Sequence, residues 1–457
     1  MQLNNHDLGN DRIPSLFRAY LLPTLVGMLS ICGVTAIDGI FIGHGVGSDG
    51  LAAVNIAYAP IMAFTGVGLM LGIGASVVSS IALADGDTRR ARLNITRAML
   101  TGTVIALLFI AATMISPQST ARLLGSSESL MPLVLAYMTW IFPSVIFQMW
   151  TTIALFVIRL DGAPKYAMWC NLVPAILNTV LDYVFIFPLG MGMEGAAIAT
   201  CISCAAGGIM ALTYIFFFAK TLHFIRLREC LGDIRETLAD LHRQCNIGLP
   251  ALLSEATMGM LAFIGNILFM RLTGDDGVGA FSIACYYMPF ILMLGNAIAQ
   301  SAQPIISFNY GLGQHSRVVN TEKLAIASAA VIGIFMTIVF MAFPYELVGL
   351  FLSEDTPAVH IAAEGLPKYA LAFLPFVFNL TGIGYFQSVE RNAPSLVFSL
   401  LRGAVFIIPV FFAMAHFAGL TGLWLALAVS EAMTAVLIIA LFAYTRRHSR
   451  RAAAHHG

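Results

Sequence analysis

Four carboxylates lie inside long apolar stretches of the sequence: Asp38, Asp182, Glu255 and Glu431. A charged side chain at the centre of a lipid bilayer costs about 2.5–3.5 kcal/mol on insertion scales. We therefore expect each acid to face the interior of the protein, where it has a polar partner or carries a proton or a cation.

Asp38 and Asp182 are the leading candidates for ion chemistry. Both are expected in the outer halves of outward-running spans, so they can share one depth, and Asn178 lies one helical turn before Asp182 on the same face. Two carboxylates in one low-dielectric site cannot both ionise freely, so the pair would hold a proton or a monovalent cation such as Na⁺. The alternative is a buried hydrogen-bonded pair that only joins two helices.

The other two acids are candidates for a second coupling or substrate site. Glu255 follows Ser254 in Leu-Leu-Ser-Glu-Ala, and Glu431 lies midway along the last span. The structural alternative for Glu255 is a carboxyl group held by Ser254 or by Arg402, which is expected at a similar inner depth.

Aromatic and methionine side chains could line an apolar cavity suited to aromatic cations. The candidates are Tyr58, Tyr137, Met149, Trp150, Tyr286 and Tyr287. Residues of these types at helical spacing are also typical of ordinary helix packing.

The composition places all these residues in a membrane protein. Of 457 residues, 59% are hydrophobic and only 11% are charged, whereas a soluble domain carries about 25% charged residues. This excludes an ordinary soluble enzyme and a disordered chain. The 24 basic and 24 acidic residues cancel, so no bulk charge attracts nucleic acid.

The apolar runs divide into twelve spans at charged or Gly/Pro-rich breaks. Each has roughly the 20 residues that a helix needs to cross a bilayer, without the alternation of a barrel strand. Their expected limits are 14–42, 51–82, 98–117, 130–158, 166–189, 195–219, 245–270, 277–308, 324–345, 366–388, 396–416 and 420–444.

The two halves of the chain repeat each other. Pro23 and Pro250 begin similar segments 227 positions apart, and the same separation pairs further residues. These are Gly47 with Gly274, Asp49 with Asp276, Gly50 with Gly277 and Gly195 with Gly422. Six spans per repeat is an even number, so both repeats enter the membrane in the same direction. Alternating access by rocking of two lobes is the mechanism that such symmetry permits.

None of the four acids has an acidic counterpart in the other repeat. The residues at the matching positions are Gly265 for Asp38, Pro409 for Asp182, Met28 for Glu255 and Cys204 for Glu431. An acid required by the architecture would be expected in both copies, so functional roles are favoured.

The basic residues predict the orientation. All but Arg122, Arg271 and Lys368 fall in segments that share one side when both termini are cytoplasmic. We therefore expect an N-lobe at 1–219, a charged cytoplasmic connector at 220–244, a C-lobe at 245–445 and a cytoplasmic tail at 446–457.

Signatures of catalysis and ATP use are missing from the sequence. It contains no Walker A sequence, no H-E-x-x-H and no G-x-S-x-G. A G-x-G-x-x-G match, Gly45 to Gly50, falls in an expected outer loop with no strand before it, so it does not predict dinucleotide binding. We expect no enzyme, no cofactor and no ATP-driven step.

Several short motifs, in order along the chain, resemble the multidrug and toxic compound extrusion (MATE) family. They are Asp38-Gly-Ile-Phe-Ile-Gly with Leu51-Ala-Ala, Asp85-Gly-Asp, Asn178-Thr-Val-Leu-Asp182-Tyr, Glu194-Gly-Ala-Ala-Ile-Ala-Thr200 and Gln303-Pro-Ile-Ile-Ser-Phe-Asn-Tyr-Gly311. The resemblance implies efflux of organic, often cationic and amphipathic compounds in exchange for inward H⁺ or Na⁺.

The resemblance also implies a cation site in the N-lobe, as in the DinF-like branch of the family. By matching position it comprises Asp38, Asn178, Asp182 and Thr200, with Tyr137 nearby. The NorM-like branch uses an acid at the position of Glu255 and a second acid on the tenth span, where this chain has Asn379. This departure favours the DinF-like branch.

We therefore expect a monomeric, multi-pass antiporter of the inner (plasma) membrane that contacts lipid and a small organic substrate. The nearest rival function is a flippase for lipids or lipid-linked precursors on the same superfold, which would need a wide basic central cavity. A membrane-embedded enzyme and a channel are less favoured, because no catalytic motif supports the first and the repeat with unmatched acids fits alternating access better than the second.

Overall fold

The computed structural model describes residues 7–230, 234–351 and 356–455. Within these ranges the chain is helical and contains no strand. The first half comprises α1 (Ile13–Gly45), α2 (Ser48–Ala84), α3 (Thr88–Met114), α4 (Pro117–Leu123), α5 (Met131–Leu160), α6 (Pro164–Ile186) and α7 (Gly192–Thr213), which continues as a π-helical turn (Tyr214–Phe218).

The second half continues the series. It comprises α8 (Leu227–Cys230), α9 (Ile234–Gly311), α10 (His315–Ala342), α11 (Pro344–Gly349), α12 (Pro357–Ala370), α13 (Phe373–Ser388), α14 (Asn392–Leu400), a π-helical turn (Leu401–Val405) and α15 (Ile407–His455). Residues 231–233 of the expected connector and the last two residues of the expected tail lie outside the described residues.

The helices account for the twelve expected membrane crossings. Nine helical segments in the described ranges are long and apolar enough to span a membrane, and α12 with α13, bent by 44°, makes a tenth. Two of the nine are each a pair of helical arms, joined at Gly274 (φ 66°) and at Gly419 (φ 55°). Counting these arms separately gives the twelve crossings.

The repeat is also present in the backbone. Three pairs of glycines 227 positions apart adopt positive φ: Gly47 and Gly274 (95° and 66°), Gly86 and Gly313 (81° and 69°), and Gly192 and Gly419 (56° and 55°). Only glycine adopts such backbone angles readily, because it has no Cβ atom. These three turns are therefore duplicated along with the spans.

Two features differ from the expected spans. The tenth span, expected at 366–388, begins at Pro357 and breaks before Phe373, because Pro375 cannot donate the helical hydrogen bond to the carbonyl of Leu371. Short helices α4 and α11 follow the third and ninth spans, and each has a proline at its first position.

The chain divides into two compact units. The first comprises Met1–Glu255, Gln300–Thr321 and Ser388–Glu390. Within it α5 packs on α2, α3 and α7, and α6 packs on α1 and α7. Buried side chains of α5, among them Phe142 and Ile153, occupy its core.

The expected connector docks on α3 within this first unit. Arg97, 2% exposed, forms an ion pair with Asp240 of α9. The backbone N–H of Ile225 donates to Thr96 Oγ1 at 3.2 Å, and Arg92 Nε donates to the carbonyl of Thr221 at 2.6 Å.

The second unit comprises Ala256–Ala299, Glu322–Gln387 and Arg391–Gly457. An aromatic cluster forms part of its core: the rings of Phe269 and Phe281 stack at 4.7 Å, and Trp424 meets Phe269 edge-on at 4.9 Å.

Candidate cation-binding site

The packing of α1 against α6 brings Asp38 and Asp182 together. Their carboxyl groups lie close enough to influence each other's charge, while both oxygens of Asp182 are without a hydrogen bond in the described part of the protein. Asp182 is fully buried and Asp38 is half-buried. A carboxyl group donates a hydrogen bond only when it is protonated. A bond between the two groups therefore needs a proton on one of them, and a cation between them would serve the same electrostatic purpose.

The two acids have no other neutralising partner in the described part of the chain. Asp38 Oδ1 and both carboxylate oxygens of Asp182 are buried and receive no hydrogen bond from another residue described there. No Lys, Arg or His of the described residues forms an ion pair with either acid. Burial of uncompensated carboxylate oxygens is costly, so this pair has the chemistry of a site that takes up a positive ion.

Asn178 and Thr200 extend this group across α6 and α7. Asn178, 4% exposed, lies one turn before Asp182, and its Nδ2 donates to Thr200 Oγ1 at 3.3 Å. The Thr200 hydroxyl in turn donates to the carbonyl of Ala196 at 3.0 Å. Because its amide nitrogen is used in this bond, the oxygen of Asn178 is the atom with the chemistry to bind a cation.

Two tyrosines lie close to the acids. Tyr137 of α5 is 2% exposed and close enough to Asp38 and Asp182 for their charges to act on its phenol group. Tyr58 of α2 is half-buried and lies within electrostatic reach of both Asp38 and Glu255. The structure thus brings together all five residues that the resemblance assigns to the cation site.

Glu255 lies near this group, on the first arm of α9. A Cβ atom on Gly66 of α2 would lie 3.7 Å from the Glu255 Cβ, so the two helices approach closely here. The two partners named in the structural alternative for Glu255 are both engaged elsewhere. The Ser254 hydroxyl donates to the carbonyl of Pro250 at 2.9 Å, and Arg402 pairs with a different acid.

That acid is Glu431, in the second unit. Arg402 Nη2 lies 2.9 Å from Glu431 Oε1, and both side chains are fully buried. Asn379 Nδ2 donates to Glu431 Oε2 at 2.7 Å and to the Glu431 carbonyl at 2.8 Å. Arg402 lies in a π-helical turn, with its guanidinium 4.3 Å from the Phe376 ring centroid. Glu431 therefore has a cationic partner within the protein, whereas Asp38 and Asp182 have none among the described residues.

Sequence reasoning missed Arg402 as the partner of Glu431. The available signal was a basic residue inside the eleventh span, within a chain that places an acid inside the twelfth. Two ionised groups in one apolar bundle are expected to pair.

The remaining residues proposed for a cavity are held in local contacts. Met149 is 2% exposed and packs where α5 meets Gly68 and Gly102, and Trp150 Nε1 donates to Thr103 Oγ1 at 2.8 Å. In the second unit, Tyr286 stacks on Phe351 with ring centroids 5.4 Å apart. The neighbouring Tyr287 hydroxyl donates to the carbonyl of Leu347 at 2.9 Å.

No cluster of three or more His, Cys, Asp or Glu side chains that could hold a metal ion occurs among the described residues. The candidate site therefore consists of two carboxyl groups with amide, hydroxyl and phenol groups nearby. This donor set suits a proton or a monovalent hard cation.

Comparisons with known proteins agree with this architecture. The MatE family model matches residues 23–184 and 250–413, once in each repeat. The multidrug export protein MepA of Staphylococcus saprophyticus is 26% identical over an alignment of 431 residues that covers 92% of this chain and 92% of MepA.

Solved structures share the fold over almost the whole chain. An outward-facing multidrug resistance MATE family transporter of the MOP superfamily superimposes with a TM-score of 0.88 at 22% identity, covering 97% of each chain. A MOP superfamily transporter from Pyrococcus furiosus gives a TM-score of 0.87 at 21% identity, covering 96% of each chain.

A duplicated bundle of twelve membrane-crossing helices, with ionisable groups buried inside it, defines a multi-pass membrane transporter. The family model covers most of both repeats, so the chain belongs to the MatE family. The predicted MATE family, the two-lobe all-helical fold and the assignment as a non-enzyme are thereby confirmed. The DinF-like branch and the site residues stay predictions.

Proposed function

We propose that the protein exports organic, often cationic and amphipathic compounds from the cell in exchange for inward H⁺ or Na⁺. The observation that carries this proposal is the buried contact between Asp38 and Asp182, which lacks a basic partner among the described residues. Similarity to MepA, a protein named for multidrug export, supports the substrate class.

The proposed coupling follows from the charge of the pair. Without a bound ion, two buried carboxyl groups repel each other when both ionise, and binding of one positive ion removes that repulsion. The ion therefore favours the arrangement of α1 and α6 in which the two carboxyl groups meet. It can shift the conformational equilibrium only as far as it binds one state better than the other.

The location of the pair supports the DinF-like assignment. Asp38, Asn178, Asp182, Thr200 and Tyr137 all belong to the first repeat, whereas Asn379 occupies the position of the second acid of the NorM-like branch. We propose coupling through the first repeat, with Glu255 as a second protonation or substrate-binding site within reach of Tyr58.

The proposed setting is the plasma membrane, with both termini and the segment 220–244 in the cytoplasm. The distribution of basic residues supports this orientation. Accessibility of cysteines introduced near each end of the chain, measured in intact cells and in inverted vesicles, tests it. We propose a monomer as the transporting unit, and the mass of the purified protein in detergent tests that.

Transport in proteoliposomes tests the coupling. Efflux of a cationic dye is driven either by an imposed pH gradient or by an imposed Na⁺ gradient. We expect one of these gradients to drive wild-type efflux, and we expect Asp38→Asn and Asp182→Asn to abolish the gradient dependence. Asp85→Asn, at an exposed position outside the spans, is the matched control and should behave as wild type. Unchanged gradient-dependent efflux in both site variants would remove the coupling proposal.

A further inference from the structure

The first unit also holds a buried cation, Arg159, that has no acidic partner among the described residues. Arg159, in the last turn of α5, is 2% exposed. Its Nη1 donates to Gln300 Oε1 at 2.8 Å, and its guanidinium lies 5.4 Å from the Phe156 ring centroid. Neither partner carries a negative charge, and no described Asp or Glu forms an ion pair with it.

Two buried hydrogen-bond donors, one on Arg159 and one on the face of α9 that carries Gln300, lack an acceptor in the described part of the protein. Arg159 Nε is buried and has no acceptor in the described part of the protein. Gln303 lies one turn after Gln300 on the same face of α9, is 4% exposed, and its Nε2 is buried without an acceptor in those same ranges. The Tyr20 hydroxyl donates to the Arg159 carbonyl at 3.0 Å. The unused atoms of Arg159 and Gln303 are thus all hydrogen-bond donors.

The dipole of α5 offsets only part of the cost of burying the charge of Arg159. A cation in the last turn of a helix gains only a modest stabilisation from the dipole, even when it is partly buried. Burial of a charge without a counter-ion costs considerably more, even after relaxation. The difference favours a negatively charged species beside the guanidinium.

We propose that Arg159, with the side-chain amides of Gln300 and Gln303, binds a small monovalent anion. One positive charge matches one negative charge, and the nearly complete burial of all three side chains favours a compact ion over a larger ligand. Because α5 and the segment Gln300–Thr321 belong to the same unit, the anion fastens this part of α9 to α5. The site is separate from the acidic pair and does not depend on the proposed antiport.

The experiment uses chloride as the probe on the purified full-length protein. The unfolding temperature is followed while chloride replaces gluconate at constant ionic strength, pH and Na⁺ concentration. We expect a saturable rise in the wild type, because a ligand bound only by the folded state stabilises it by mass action. Formate in a parallel titration separates a site for any small anion from one that prefers a halide. Equal unfolding temperatures in chloride and gluconate would overturn the proposal.

Variants assign the effect to the site. Gln303→Leu removes an unpartnered donor, so it should fold normally yet weaken chloride binding about tenfold, the loss expected for one hydrogen bond. Arg159→Gln should remove the chloride response altogether. Arg18→Gln, at an exposed position on α1, is the matched control and should keep it. An unaltered chloride response in both Gln303→Leu and Arg159→Gln would also overturn the proposal, because it would locate the anion elsewhere.

Discussion

Arg402 and Glu431 form an ion pair in which Arg402 Nε and Nη2 both donate to the carboxylate, at distances of 2.9–3.2 Å to Oε1. Neither side chain is exposed. In the first repeat, Asp38 and Asp182 meet without any described cation. One repeat therefore has an acid paired with an arginine, and the other has two neighbouring acids without a basic partner among the described residues.

Breaking the Arg402–Glu431 pair should destabilise the fold. We expect Arg402→Ala to lower the free energy of unfolding by about 3–5 kcal/mol, because it leaves Glu431 buried and uncompensated. Arg122→Ala breaks an exposed ion pair with Glu128 and should cost less than about 1 kcal/mol. Chemical unfolding in detergent measures both. The double variant Arg402→Met with Glu431→Leu should recover much of this loss of stability. Equal losses in Arg402→Ala and Arg122→Ala would contradict a structural role for the Arg402–Glu431 pair.

The contact between Asn178 and Thr200 should matter for ion affinity. If Asn178 helps to bind the coupling ion, Asn178→Ala should raise the ion concentration for half-maximal efflux about tenfold, the value of one hydrogen bond or ligand. Thr179→Ala is the matched control, because the Thr179 hydroxyl donates only to the carbonyl of Ala175 on its own helix. Dye efflux measured at graded ion concentrations gives the half-maximal concentration for each variant. An equal change in this concentration in both variants would refute the role of Asn178.

Close approach of α2 and α9 predicts opposite outcomes for two glycines on the same helix. A Cβ atom at Gly248 would lie 1.8 Å from the carbonyl oxygen of Met70, whereas at Gly259 it would meet nothing within 4 Å. Gly248→Ala should therefore cost at least about 1–3 kcal/mol, and Gly259→Ala should be neutral or stabilise by up to about 1 kcal/mol. Thermal unfolding measures both, and comparable stability of the two variants would contradict the close packing.

Glu390 is the one non-glycine residue with positive φ (54°) in the described part of the chain. Its carboxylate accepts hydrogen bonds from Arg243 Nε at 2.9 Å and from Nη2 at 2.7 Å. Both Glu390→Ala and Glu390→Gly remove this pair, but glycine also relieves left-handed strain of about 1–2 kcal/mol. The glycine variant should therefore unfold at the higher temperature. A more stable alanine variant would show that the backbone is not strained there.

Hydrogen bonds from Arg317 hold the segment Asp7–Asp11 in place. Arg317 Nη2 donates to the carbonyls of Leu8 at 3.0 Å and of Asp11 at 2.9 Å. Arg317→Ala should speed amide hydrogen exchange in this segment, while Lys323→Ala, exposed on the same helix, should not. Unchanged hydrogen exchange in the Arg317→Ala variant would show that these hydrogen bonds do not stabilise the segment.

Low pH should loosen the same segment. The side-chain hydrogen bond from Asn10 is the largest influence that lowers the pKa of Asp7 below its ordinary value of 3.8, while burial opposes it. The backbone N–H groups of Gly9 and Asn10 and the charge of Arg317 also lower this pKa. Because the pKa of Asp7 is lower in the folded turn than in the unfolded chain, the ionised carboxylate stabilises the turn at pH values above the ordinary pKa. That stabilisation is lost as the pH falls through the lowered pKa. Hydrogen exchange of these amides should therefore be protected at neutral pH and lose protection only below about pH 4.

The spans and the repeat were predictable because both depend on long apolar runs and on a constant separation of 227 between residues such as Pro23 and Pro250. Helices α4 and α11 were not predicted, because six or seven residues are too few for a hydropathy signal. They too begin 227 positions apart, at Pro117 and Pro344.

The contact between Asp38 and Asp182 could be anticipated from charge and depth alone. The partner of Glu255 could not, because side chains at one depth on different helices have several possible neighbours. Helix rotation decides among them, and it directs Arg402 to Glu431. The ion-pair partner of Glu390 was equally hidden, since Arg243 lies 147 positions away in the sequence.

The matched positive-φ glycines mark equivalent positions in the two halves of the chain. A reporter group or an inserted epitope that the chain accepts just after Gly86 has a ready-made equivalent just after Gly313, in the same local backbone geometry. Probes can therefore be installed as twins, one in each half. A difference between the two probe signals then reports a difference in motion between the two repeats, because both probes follow a glycine with a similar φ angle.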